Sequence, residues 1–336
     1  MSSEILSTLL LEYDKKKRRA ELDSEKRKEQ LYVSFPRLQQ IEIELNNFAI
    51  ATAKNILNGS TSSLNDLDQK VSELKKEKER IFSENNIPNN FLEPSYECTI
   101  CKDTGYIQFN NSASSLCSCL KQKLLDISYN KSNISNLSKE NFDTFRPEVF
   151  SDIVESEKYK INISPRQNIL TIKSKCIDFV ENFDDTNTHN LLFTGNTGLG
   201  KTFMSNCIAN ELIKKGKNVL YQTAPVLLET VIDNKMNKYK NSTQDNFYKN
   251  VLEADLLIID DLGTECLNSM KLSELFTILN ARLLNLNNKV TKTIISTNLS
   301  INNIFKSYEE RIGSRIAGFY DIYYFFGDDL RFKLRK

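Results

Sequence analysis

Several kinds of feature are scarce in this 336-residue chain, and each scarcity closes off a class of protein. No run of eighteen apolar residues exists, so no segment has the length a membrane-crossing helix needs. The N-terminus opens Met1-Ser2-Ser3-Glu4 and soon meets the basic run Lys15 to Arg19, the wrong order of charge and apolar segment for a secretory signal, which points to the cytoplasm. Charge of one sign is not in excess: 45 basic against 44 acidic residues leave a net of +1, so any contact with nucleic acid must come from a local basic surface. Histidine occurs once, at His189, which leaves no histidine cluster for metal binding or base catalysis. Cysteines are seven, an odd number unsuited to a disulfide framework. Cys98, Cys101, Cys117 and Cys119 cluster, whereas Cys176, Cys207 and Cys266 are scattered through apolar stretches that read as core.

Glycine is scarce in the first ~90 residues, where Gly59 stands alone among Glu, Lys, Leu and Ile. Apolar residues at helical spacing, such as Ile5, Leu9, Leu10 and Tyr13, predict helices there, interrupted at Pro36 and at Asn58 to Ser63. The basic run is followed by Glu21, Asp23, Glu25 and Glu29, which makes it a mixed-charge solvent face. From Pro88 to about Lys121 the helical period stops and turn residues surround the four cysteines. Beyond a linker, apolar runs alternate with helical segments, as in an α/β domain with a mainly parallel sheet. Strands are expected at residues 190–194, 218–222, 255–259, 292–296 and 322–325. The expected organisation is a helical domain over 1–90, a cysteine segment over 91–125, a linker over 126–150 and an α/β domain over 151–336.

Chemistry is concentrated in the last of these. Gly195-Asn196-Thr197-Gly198-Leu199-Gly200-Lys201-Thr202 matches G-x-x-x-x-G-K-[ST], follows the apolar run Leu191-Leu192-Phe193 and opens a helix through Phe203, Ile208 and Leu212. Glycines let backbone N–H groups curl around phosphate oxygens, Lys201 reaches the β- and γ-phosphates, and Thr202 ligates magnesium. Leu256-Leu257-Ile258-Ile259 then ends in Asp260 and Asp261. Asp260 is placed to hold magnesium and Asp261 to orient or deprotonate the attacking water, with Glu265 a poorer candidate beyond Gly263. A further strand ends at Ser296-Thr297-Asn298, where Asn298 serves either the γ-phosphate or, with Ser300, as a helix cap. The tract Asp233 to Lys249 mixes lysine and tyrosine in a way suited to single strands, although an exposed polar helix and loop explains it as well.

Four motifs in order (Gly195 to Thr202; Asp260-Asp261-Leu262-Gly263; Ser296-Thr297-Asn298; Glu310-Arg311-Ile312-Gly313-Ser314-Arg315) resemble the AAA+ ATPases of the DnaC/DnaI helicase-loader and IstB group over roughly residues 140 to 336. The resemblance implies a P-loop AAA+ core that binds ATP and magnesium. It implies Asn298 as first sensor and Arg315 as the finger that completes a neighbouring subunit's site, hence self-association. It places Asn141-Phe142 and Phe145 near adenine and Arg331 in the family's C-terminal Gly-x-x-x-Arg element, though the sequence has no room for the helical lid that usually carries such an arginine. Its implied partners are a hexameric replicative helicase and single-stranded DNA. The alternatives are a transposition helper, or an ATP-binding scaffold with little turnover, the latter because Asp261 stands where many AAA+ proteins place Glu.

Cys98-x-x-Cys101 and Cys117-x-Cys119, fifteen residues apart, supply the thiolates of a closed tetrahedral zinc site, with Asp103-Thr104-Gly105 providing the turn. A [4Fe–4S] cluster or four thiols without metal are the alternatives. A turn-rich segment of this size needs a staple, which favours metal.

Overall fold

The computed structural model describes residues 2–57, 64–108, 114–127, 139–236, 245–284 and 290–333. The expected break at Asn58 to Ser63 and the middle of the lysine- and tyrosine-bearing tract, residues 237–244, lie outside them. The described chain divides into two compact units, residues 6–115 and residues 116–336 with the first five.

The first unit is helical. Helix α1 (Ser2–Ser34) ends before Pro36, which starts α2 (Pro36–Leu57), and α3 (Leu64–Glu84) packs on α2. Proline at a helix start costs nothing, because the first N–H groups have no intrahelical partner. Leu31, Leu38 and Phe82 are the buried centre, with Phe35, Ile81 and Phe91 against them. Arg37 joins α2 to α3 through a paired contact with both Glu77 carboxylate oxygens, at 2.8 and 2.9 Å. Strands β1 (Tyr106–Gln108) and β2 (Ser114–Leu116) pair in a small two-stranded sheet.

The second unit opens with α4 (Ser118–Leu125), followed by a short 3₁₀ turn at Pro147–Val149, α5 (Ser156–Tyr159) and α6 (Pro165–Glu181). Ser164 and Gln167 close a capping box on α6. There follow β3 (Asn190–Gly195), α7 (Lys201–Lys214), β4 (Val219–Thr223), α8 (Ala224–Met236), α9 (Asp245–Glu253), β5 (Leu256–Leu262), α10 (Ser269–Leu283) and β6 (Lys292–Thr297). Helices α11 (Ile301–Ser307) and α12 (Glu309–Phe319), strand β7 (Tyr320–Phe325) and α13 (Leu330–Lys333) complete it. The five long strands are parallel in the order β4-β5-β6-β3-β7, and each falls on an expected strand. Every residue of β3 and β6 is buried, because helices cover both faces of a parallel sheet.

Two polar side chains finish the sheet. Gln122 of α4 accepts from the Val219 N–H (2.7 Å) and donates to the Val219 carbonyl (3.1 Å), acting on the outer side of β4 as a neighbouring strand would. Arg282, 2% exposed, donates to the carbonyls of Val251, Ala254 and Lys292 and to the Thr293 hydroxyl. Burial brings its pKa down to about 10, with Tyr320 and Asp255 opposing.

Cys176 and Cys207 are core residues as expected, but Cys266 is exposed. It follows the turn at Gly263 that leaves the sheet, so its apolar neighbour Leu267 marks a loop and not a strand.

Candidate functional site

The chain reverses sharply after β3. Gly195, Gly198 and Gly200 take φ of 139°, 73° and 90°, in the region open to glycine. Packing demands glycine at Gly195 as well, where a Cβ would lie 2.0 Å from the Phe325 carbonyl oxygen, while one on Gly198 would lie 1.9 Å from Asp329 Oδ1 and displace that carboxylate. The loop therefore rests directly on the segment after β7, and the Leu330 N–H donates to the Gly198 carbonyl at 2.9 Å.

Above this loop lies a cavity of about 430 Å³. Thr197 to Thr202, Asp261, Asn298 and Arg331 line its polar end, and Phe145, Val149, Phe150, Ile169 and Leu330 its apolar end. Residues 139–150, within the stretch expected to link domains, thus form a wall. Phe145 sits with its ring centroid 6.1 Å from that of Phe203 and 6.2 Å from that of Phe150, and Lys173 Nζ lies 5.0 Å over it.

At the polar end, Lys201 Nζ donates to the carbonyls of Gly195 (2.6 Å) and Asn196 (2.7 Å) and to Asn298 Oδ1 (2.8 Å). Burial lowers its pKa to about 8, against the opposing pull of Asp261 and Asp260. Ser300, whose hydroxyl accepts from the Asn303 N–H, caps α11, so Asn298 is left to face the lysine.

The two carboxylates owe their placement to a bulge. Pairing of β5 with β6 runs through Ile259↔Ile295 and resumes at Leu262↔Thr297, so Asp260 and Asp261 together stand against Ser296. Regular alternation would send neighbouring side chains to opposite faces. Here Asp261 adopts φ 55° and reaches the cavity, while Asp260, 4% exposed, stays beneath it. Asp260 Oδ2 accepts from Thr202 Oγ1 (3.1 Å) and from the Tyr221 hydroxyl (2.5 Å), and Oδ1 accepts from the Ser296 hydroxyl and the Asp261 N–H (3.1 Å). Burial, then the charge on Asp260, raises the Asp261 pKa above the carboxylate norm. Glu265 is buried, and its carboxylate accepts from the Gly263 N–H (2.9 Å) and the Tyr308 hydroxyl.

Arg315 lies elsewhere. It is on α12, donates to Asn280 Oδ1 at 3.1 Å and stands over the Phe276 ring, and it is not among the described residues lining this cavity. His189, exposed, faces Asp321 at 3.0 Å. In the cysteine segment, ligand atoms of Cys98, Cys101, Cys117 and Cys119 lie within 4.8 Å of one another. The Asp103 carboxylate accepts from the Glu97 (2.9 Å) and Cys98 (2.8 Å) N–H groups, and the Gly105 N–H donates to Cys101 Sγ at 3.3 Å, which shapes the first knuckle.

Sequence reasoning missed Tyr221, Ser296 and the apolar wall of Val149, Phe150 and Ile169. Of these, only Ser296 carried a sequence signal, its place in the Ser296-Thr297-Asn298 strand end.

A phosphate loop between β3 and α7, with one strand inserted between β3 and the aspartate-bearing β5, defines a P-loop ATPase core of the AAA+ type. Residues 150–311 match the family model for IstB-like ATP binding protein. The replicative helicase loader DnaC of Escherichia coli K12 is 30% identical over 109 residues, 32% of this chain and 42% of that protein. The chromosomal replication initiator DnaA of Helicobacter hepaticus is 33% identical over 129 residues, 37% of this chain and 25% of that one. The matches thus span less than half the length of these curated relatives. Among solved structures, the DnaC helicase loader is similar at 22% identity and TM-score 0.43, over 57% of this chain and 99% of that one. Residues 150–311, just under half of the chain, are thus similar to the IstB-like ATP binding proteins.

Proposed function

We propose that the chain hydrolyses ATP to ADP and phosphate as an oligomer and uses the cycle to load a hexameric replicative helicase onto single-stranded DNA in the cytoplasm. One observation carries this reading: Lys201, Thr202, Asp260, Asp261 and Asn298 converge on one end of a cavity while Arg315, the remaining motif residue, sits outside it. A site built in this way is completed by a second copy.

The purine stacks against Phe145 and the apolar wall, and the triphosphate lies over the loop N–H groups. Lys201 exchanges its two carbonyl partners for β- and γ-phosphate oxygens. The donors Thr202 and Asp260 suit a hard cation: the two side chains would hold magnesium, which would supply neutralisation of phosphate charge. Asp261 orients the attacking water and accepts its proton, a role its raised pKa favours. Asn298 reads the γ-phosphate, and Arg331, at the cavity edge, adds positive charge there.

The four thiols suit zinc, since tetrahedral Zn–S bonds of about 2.3 Å set sulfur atoms roughly 3.8 Å apart, inside the observed spread. Elemental analysis is expected to find one zinc per chain, lost in Cys98→Ser; iron in its place would refute the assignment.

The IstB-like family match favours a second reading, a helper of DNA transposition. Affinity capture with the full chain, in the presence of ATP, separates the two. Recovery of a hexameric helicase supports loading, and recovery of a transposase in its place overturns it.

A further inference from the structure

Asp260 is gripped from both sides of its own strand. Tyr221 reaches Oδ2 from β4 and Ser296 reaches Oδ1 from β6, so the strands flanking β5 each send one hydroxyl to a different oxygen of the same carboxylate. The register makes this possible: Tyr221 pairs with Ile258, two residues before Asp260 on the same face, and Ser296 fills the bulge opposite. All three side chains are closed to solvent, at 1%, 0% and 4% exposure. No phosphate-loop motif calls for the first hydroxyl, and a phenylalanine ring would fill the core at residue 221 equally well.

A third hydroxyl, that of Thr202, also donates to Oδ2, but it belongs to the metal in the magnesium-ATP reading. When it turns toward the ion, Oδ2 keeps Tyr221 and Oδ1 keeps Ser296. Two donors on opposite oxygens fix the plane of a carboxylate that otherwise rotates about its terminal torsion.

We propose that Tyr221 and Ser296 are positioning residues that clamp the Asp260 carboxylate in the orientation required by the metal–nucleotide complex. The inference rests on the magnesium-ATP reading of the cavity and deepens it. Burial, with Asp260 beside it, raises the Tyr221 pKa, so the phenol remains a donor throughout the working range of pH. Partners that orient metal-binding groups commonly change metal affinity by about 10- to 100-fold when removed.

The test uses the full chain with β,γ-methylene ATP and manganese(II), whose paramagnetic resonance reports the bound ion. Manganese affinity of the nucleotide complex is expected to fall about tenfold or more in Tyr221→Phe and in Ser296→Ala. Nucleotide affinity in EDTA is expected to match the wild type in both. Unchanged manganese affinity, with wild-type protein binding manganese and nucleotide normally, overturns the clamp and leaves the ATPase reading intact. An equal loss of nucleotide affinity in EDTA also overturns it, since the two residues would then shape the fold and not the metal site. Wild-type protein that binds neither nucleotide nor its manganese complex would bring down both readings.

Discussion

The helical unit and the α/β unit bury their apolar residues in different ways. In the α/β unit, strands such as β3 and β6 are closed on both faces, and their polar ends can hold Asp260, Ser296 and Lys201 out of water, each in one orientation. In the helical unit, each helix buries one stripe and leaves the other wet: Ile41 is fully buried on α2, while Leu11, Leu22 and Val33 on α1 are more than half exposed. A group removed from water on all sides can be preorganised for chemistry, whereas a half-exposed helix offers surface for recognition.

The largest break in that contrast comes from the phosphate loop. Lys201→Ala removes the cation that meets the β- and γ-phosphates, and nucleotide binding or turnover is expected to be lost while circular dichroism is unchanged; normal ATPase activity would sink the reading of the cavity. Arg315→Ala comes next. A finger acting from a neighbouring copy serves the transition state, so turnover is expected to fall about 10³-fold with ATP affinity retained. Mixing that variant with Lys201→Ala is expected to restore part of the activity, and absence of rescue would mean that Arg315 does not act across subunits.

Stability sharpens the comparison further. Ile258→Ala, in the closed centre of β5, is expected to cost about 2–5 kcal/mol in urea unfolding. Leu22→Ala on the open face of α1 is expected to stay within about 0.5 kcal/mol, and equal costs would erase the distinction. A pH series measures the desolvation itself. Phosphate charge stabilises protonated Lys201, so its pKa is higher in the complex than the value of about 8 without nucleotide. Binding therefore takes up a proton above pH 8, and affinity is expected to weaken as pH rises through that window, by at most tenfold per unit. Titration calorimetry in buffers of different ionisation enthalpy reads the proton directly, and zero uptake at pH 9 would contradict the assignment.

What was legible beforehand follows the same division. The phosphate loop, the paired aspartates and all five long strands were readable, because continuous apolar runs between turns have few other uses. Asn298 was ambiguous until Ser300 took the cap of α11. The bulge at Asp260 and Asp261 was invisible, since it depends on register against β6. Tyr221 was invisible for a related reason: in its own strand it is one more β-forming aromatic, and only the pairing of β4 with β5 brings its hydroxyl to a carboxylate. Phe145 was expected near adenine, but Val149 and Phe150 beside it were hidden because short turn-rich segments show no period. In the helical unit the periodicity announced helices, but which stripe would be covered was a matter of tertiary packing.

Gln122 has a consequence for how the protein survives its own synthesis. A strand at a sheet border exposes backbone groups that can template addition of a foreign strand, the first step toward aggregation. By answering both the N–H and the carbonyl of Val219 with one amide, Gln122 blunts that template at the first residue of β4 without adding a strand. Because Gln122 rides on α4, this local cover at Val219 depends on the docking of that helix.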